Sequence, residues 1–245
     1  MTGAALLVSL ASLGLCILAS PAGAQDISIN LGQGAGLTER VIQLIALITV
    51  LSLAPSILVM MTSFTRIVVV LSLLRTALGT GTAPPNAVIV ALALFLTAFI
   101  MGPAFQNAYD VGIRPLLNNE ITTEQAFERS SGPFKTFMLK NVREKDLSLF
   151  LDLSREPRPA TPEEVSLRIL IPAFMISELK RAFEIGFLLF LPFLIIDLVV
   201  ASVLMSMGMM MLPPVVVSLP FKLIFFVLVD GWTLVAGSLV QSYGT

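Results

Sequence analysis

The sequence predicts an all-α, membrane-inserted protein. Its kinked helical hairpins carry four hydrophobic spans and a small helical periplasmic module, and they assemble into a helical oligomer. Three observations lead there. Hydrophobic residues make up 56% of the 245 and charged residues only 13%, against roughly 25% charged in an average soluble domain. Mean hydropathy is +0.92, so the polar coat of a soluble fold is missing over most of the length. The charges are also gathered: all except Asp26, Glu39, Arg40, Arg66, Arg75, Asp197, Lys222 and Asp230 lie between Asp110 and Glu184. One polar module is thereby set between two apolar ones.

Composition also removes function classes. A net charge of −1 leaves no clustered basic face for nucleic acid. There is no histidine, and Cys16 is the only cysteine, which removes most routes to metal binding and nucleophilic catalysis. The expectation is no enzyme, no catalytic residue, no metal and no cofactor.

Residues 4–19 form an apolar stretch ending in Ser20-Pro21-Ala22-Gly23-Ala24. Small residues at Ala22 and Ala24 fit a signal-peptide cleavage site, giving a signal peptide over 1–24 and a periplasmic segment over 25–40. The start, MTGAA, lacks the usual basic residue, so an uncleaved anchor helix is the plainer alternative. Leu15 before Cys16 does not fit a lipoprotein.

Four runs are long enough to cross a hydrocarbon core of about 30 Å at about 1.5 Å per residue: 41–65, 86–108, 183–207 and 214–240. Arg66 and Arg75 lie between the first two with no acidic residue, which marks a cytoplasmic loop within the pair 41–109. The polar module, 110–182, is then periplasmic, and 183–245 is a second hairpin. Each span holds an interior proline, Pro55, Pro103, Pro192 or Pro220. Each removes a backbone hydrogen bond, so these are expected kinks whose freed carbonyls need partners from neighbouring helices.

The polar module reads as short helices with marked starts. Thr122 and Gln125 fit a capping box. Gly132-Pro133 suits the start of a helix to about Leu153, and Thr161-Pro162-Glu163-Glu164 suits a third start leading through Arg168. Beyond it, Glu178 with Arg181 and Lys180 with Glu184 stand three and four apart on a helix face, as weak ion pairs of a solvated helix end.

The stretch from Asp197 to Asp230 is the most informative. Gly208 suits a helix stop and Pro213-Pro214 a helix start. In the resulting hairpin Asp197 and Lys222 are equidistant from the turn, about 15 Å from it at helical rise. Unpaired charges there are costly, so these two are expected to pair with each other or with a neighbouring copy. Asp230 is the third charge in this apolar half. Met205, Met207, Met209, Met210 and Met211 crowd the turn, where Gly, Asn or Asp is usual. Thioethers are long and deformable. They suit either a loop packed on lipid or a soft apolar seal around a pore.

Five segments carry a resemblance: MMTSFTRIVVV (60–70), ALGTGTAPPN (77–86), PAFMISELKRAFEIGF (172–187), PFLIIDLVVASVLMSMGMMMLPP (192–214) and LPFKLIFFVLVDGW (219–232). They resemble the FliP family of flagellar type III export-gate proteins and their injectisome relatives. The resemblance implies several copies, typically a pentamer, joined with FliQ and FliR, beside FlhB and FlhA. It implies a path for unfolded flagellar export substrates across the bacterial inner membrane within the flagellar basal body. It also implies that Met209, Met210 and Met211, supported by Met205 and Met207, form a gasket, and that the assembled complex sits largely at periplasmic level. Two other classes compete: a small-solute secondary transporter coupled through Asp197 and Lys222, and a membrane scaffold for a secretion complex. The first calls for inverted repeats, which the two halves do not visibly have.

Overall fold

A computed structural model describes residues 59–244 apart from 155–158 and 210, together with Val41, Ile42, Leu44, Ile45, Ile48, Thr49, Ser52 and Ser56. The expected signal peptide, the segment 25–40, Pro55, Met210 and most of the first span lie outside the described residues. Among those described, all regular structure is helical.

The elements are α1 (Phe64–Leu78), α2 (Asn86–Ala108), a π-turn (Tyr109–Ile113), α3 (Arg114–Leu117), α4 (Thr123–Asn141), α5 (Glu144–Ser154), a 3₁₀ turn (Pro162–Glu164), α6 (Leu167–Ser206), α7 (Pro214–Leu228) and α8 (Gly231–Gln241). Two helical runs, Asn86–Leu117 and Leu167–Ser206, are long and apolar enough to cross a membrane, or three if the bent pair α7–α8 counts as one. At 40 residues, α6 is about 60 Å long, twice the hydrocarbon thickness. No helix end falls near residue 182, where the polar module was expected to give way to the third span.

α1 is the centre of the larger core. Ile67, Val70, Leu71, Leu74, Ala77 and Leu78 are buried along one face, at the three- and four-residue spacing of a helix stripe. They pack with Ala93 and Ile100 of α2, Ala182 and Phe193 of α6, and Phe226 of α7. A second core joins Met138 of α4 and Val165 to Ile169, Leu170 and Phe174 at the start of α6.

The polar module departs from expectation in three places. The capping box at Thr122 is present, with Gln125 N donating to Thr122 Oγ1 and Thr122 N donating to Gln125 Oε1. It starts α4 ten residues earlier than Gly132-Pro133, and α4 runs through Pro133. Once a helix is nucleated, one missing hydrogen bond costs less than ending and renucleating it. The helix expected to reach Leu153 instead breaks at Val142, which is extended (ψ 141°). There Ser177 Oγ of α6 accepts the Arg143 N–H, a tertiary partner that local spacing does not reveal. Finally, Thr161 caps no helix: only a single 3₁₀ turn follows, and α6 starts from Ser166, whose hydroxyl accepts from Arg168 N. Val165 between them is extended and buried in the second core.

The last expected span, 214–240, is two helices bent by 63° at Val229–Asp230. Asp230 is left-handed (φ 50°). Gly231 follows because a Cβ there would lie 2.1 Å from the Phe226 ring. This bend is at no proline, and the described helices run on through Pro103, Pro192 and Pro220.

Candidate functional site

Four groups of chemistry-bearing residues stand out along α1, α6, the hairpin and the polar module. The first is a buried ion pair. Arg66 and Glu178 are 1% and 0% exposed. Arg66 Nε donates to Glu178 Oε2 at 2.9 Å and Nη2 to Oε1 at 2.5 Å, the bidentate geometry that suits a planar guanidinium. Arg66 Nη1 donates to Ser242 Oγ at 2.9 Å, and the Tyr243 hydroxyl donates to Glu178 Oε2.

This pair overturns two expectations. Arg66 is not in a cytoplasmic loop: it lies in the first turn of α1, and only residues 79–85 separate α1 from α2. Glu178 does not pair with Arg181 at a solvated helix end, because its carboxylate is turned into the core toward Arg66. The expected topology put these two residues on opposite sides of the membrane, yet they touch. A charge count over loops cannot see that an arginine is buried and neutralised. Of the two helix-face pairs, Lys180 and Glu184 do face each other, at 3.7 Å and about half exposed, where such pairs contribute little.

The second group locks the hairpin. Lys222 Nζ lies 2.7 Å from Asp197 Oδ2, and Ser218 Oγ donates to Asp197 Oδ1 at 2.5 Å. Lys222 Nζ also donates to Ala77 O at 3.1 Å. Ala77 is in the last turn of α1, whose carbonyls have no partner within the helix. One ammonium thus joins α6, α7 and the end of α1. Ser218 was missed although it stands one turn before Lys222 on the same face of α7. Ala77 O had no signal, since any residue offers a carbonyl. Asp230 is not part of this lock: it is exposed at the α7–α8 bend.

The third group is the turn. Met207 and Gly208 follow α6, and Pro213 N-caps α7. Gly208 is left-handed (φ 74°), and Met209 N reaches back to Leu204 O, closing α6 in the manner of a glycine C-cap. Met205, Met207 and Met209 are exposed, and Met211 is 97% exposed. Deformable thioethers are held outward on a turn whose two legs are tied by the Asp197–Lys222 pair.

A fourth cluster lies where the polar module meets α6. Arg143 Nε and Nη2 donate to the two oxygens of Asp146 at 2.7 and 2.8 Å, and Ser177 Oγ donates to Asp146 Oδ2 at 2.7 Å. The hydrogen bond from Arg143 holds the Asp146 carboxyl below its ordinary value, assisted by Ser177 and opposed by burial. Among the described residues no group of His, Cys, Asp and Glu is placed to hold a metal.

Helices of membrane-crossing length, buried ion pairs and an exposed apolar turn mark, among the described residues, an all-helical membrane-associated protein. Residues 47–239 match the FliP family, and the chain belongs to it. The flagellar biosynthetic protein FliP of Caulobacter vibrioides is 65% identical over 241 residues, covering 98% of this chain and 91% of that one. FliP of Rhizobium meliloti is 51% identical over 91% of this chain and 93% of its own length. FliP of Bacillus subtilis is 54% identical over 82% of this chain and 91% of its own.

Proposed function

We propose that the chain is a subunit of the export gate of the flagellar type III secretion apparatus. Five copies assemble with FliQ and FliR, next to FlhA and FlhB, into the channel that carries unfolded flagellar proteins across the inner membrane. The observation that carries the reading is the family match over residues 47–239.

Three features of the structure support it. α6 and α7 present Leu188, Ile195, Val199, Val203, Phe221 and Val227 exposed, large apolar side chains on two neighbouring helices of the kind that mark a lipid or protein contact surface. Lipid or further subunits therefore cover it. α6 is about twice the hydrocarbon thickness, so a large part of it stands outside the bilayer, in keeping with a complex set largely at periplasmic level. The turn region bearing Met205, Met207, Met209 and Met211, all exposed, tips a hairpin that Asp197 and Lys222 hold in register. Copies arranged in a ring bring these turns together as an apolar constriction. Long flexible side chains then close it against ions and part around an unfolded chain.

Native mass spectrometry of the purified complex, followed by conductance measurement in a planar bilayer, tests the reading. Several copies bound to smaller hydrophobic subunits, and closed in the absence of substrate, are expected. A single copy that couples uptake of a small solute to an ion overturns the gate and favours a transporter.

A further inference from the structure

Phe137 of α4 packs against both hydrophobic cores, and Tyr243 is its ring partner in the larger one. Tyr243 is 4% exposed and belongs to the larger core. Its ring stacks on Phe137 of α4, with centroids 5.6 Å apart and planes at 23°. Phe137 in turn meets Phe174 of the second core edge-on at 5.9 Å. On the other side, the Arg66 guanidinium lies 3.8 Å from the Tyr243 ring centroid, a cation–π contact. The Tyr243 hydroxyl donates to the fully buried Glu178, and the neighbouring Ser242 accepts from Arg66 through both its hydroxyl and its carbonyl. The chain reaches this point by a tight turn after α8, with Tyr243 N donating to Val240 O.

We propose that Ser242 and Tyr243 form a clasp that couples the polar module to the apolar helices. The ring is the aromatic bridge from α4 to the core of α1 and α6. The hydroxyl and Ser242 complete the polar shell of the Arg66–Glu178 pair. Opening the clasp removes both at once: Phe137 loses its stacking partner, and a buried carboxylate loses a donor. Displacement of α4 away from α6 is therefore tied to release of the C-terminal turn. Such a coupling is reciprocal, since each segment steadies the other by the same free energy. The clasp concerns the internal mechanics of one copy, so it stands whether or not the chain forms an export gate.

Hydrogen–deuterium exchange of the full chain, read by mass spectrometry in detergent, tests it. The segment 89–101 of α2 serves as an internal control for global unfolding. Tyr243→Leu keeps apolar bulk but removes ring and hydroxyl, and exchange in 123–141 is expected to rise roughly tenfold with the control unchanged. Tyr243→Phe retains the stack and loses the hydroxyl. It is expected to speed exchange in 231–241 while leaving 123–141 near wild type. Phe137→Leu, made at the far end of the coupling, is expected to loosen 231–241. A Tyr243→Leu protein with unchanged exchange in 123–141 overturns the clasp. If that variant does not fold, Phe137→Leu decides, and unchanged exchange in 231–241 overturns the proposal.

Discussion

Arg66 and Glu178, 112 positions apart in sequence, meet in a bidentate pair that is almost wholly buried. Removing one partner of such a pair strands a charge in a medium that cannot solvate it, at a cost of about 3–5 kcal/mol. Arg66→Ala is expected to lose that much stability in a denaturant titration in detergent. The double variant Arg66→Met/Glu178→Leu, which removes both charges, is expected to be less damaged than Arg66→Ala. Losses that simply add in the double variant refute the pairing as the source of the effect.

Lys222 binds α6, α7 and the end of α1 together. Lys222→Ala leaves the Asp197 carboxylate with Ser218 alone. Truncating such a partner costs about 2 kcal/mol or more, at the low end here because Asp197 is partly exposed. The expected outcome is a lower yield of assembled complex and reduced secretion, with Lys222→Arg milder than Lys222→Ala. Assembly and secretion both at wild-type levels argue against the lock.

The methionine turn is predicted to seal rather than to hold the subunit together. Met209, Met210 and Met211 changed together to Ala are expected to leave assembly intact and raise the ionic conductance of closed complexes. The two readouts separate a gasket from a packing element. Lost assembly points to packing, and unchanged conductance in an intact complex removes the seal.

The Arg143–Asp146 pair gives the polar module a pH dependence. The Asp146 carboxyl is held below its ordinary 3.8 by the Arg143 hydrogen bond, so the native state binds fewer protons than the unfolded one in this range. The stabilisation is complete above the ordinary value and is lost as pH falls through the lower native value. Protection of the 144–154 amides, taken relative to the intrinsic exchange rate at each pH, is expected to fall as the pH drops below the ordinary 3.8 in the wild type. In Asp146→Asn it should be lower throughout and lack this component. An identical pH response in the two proteins shows that another carboxyl is responsible.

Much of the fold was legible because it is local. The capping box at Thr122 depends on residues three apart. The level placement of Asp197 and Lys222 follows from helical rise on either side of a turn marked by Gly208 and Pro213-Pro214. Both needed only distances along the chain. The boundaries that failed were decided from outside the segment: the end of α4 by Ser177, and the start of α6 by burial of Val165. The 63° bend of the last span lies at Val229–Asp230, at no proline, where close approach of the Phe226 ring leaves room only for glycine at 231.

The sequence by itself determined that the chain is helical and apolar, that its charges are few and concentrated, and that five methionines crowd one hairpin turn. These follow from composition and from the fixed geometry of a helix. Only the tertiary structure decided that Arg66 neutralises Glu178 and that the Ala77 carbonyl joins Lys222. Arg66 reads as a loop residue until packing buries it against Glu178, and a carbonyl such as that of Ala77 carries no signature at all. The physical reason is that buried charges are satisfied by whatever polar groups packing brings within about 3 Å. Packing is settled by all the helices together, so these partners have no trace in any one of them.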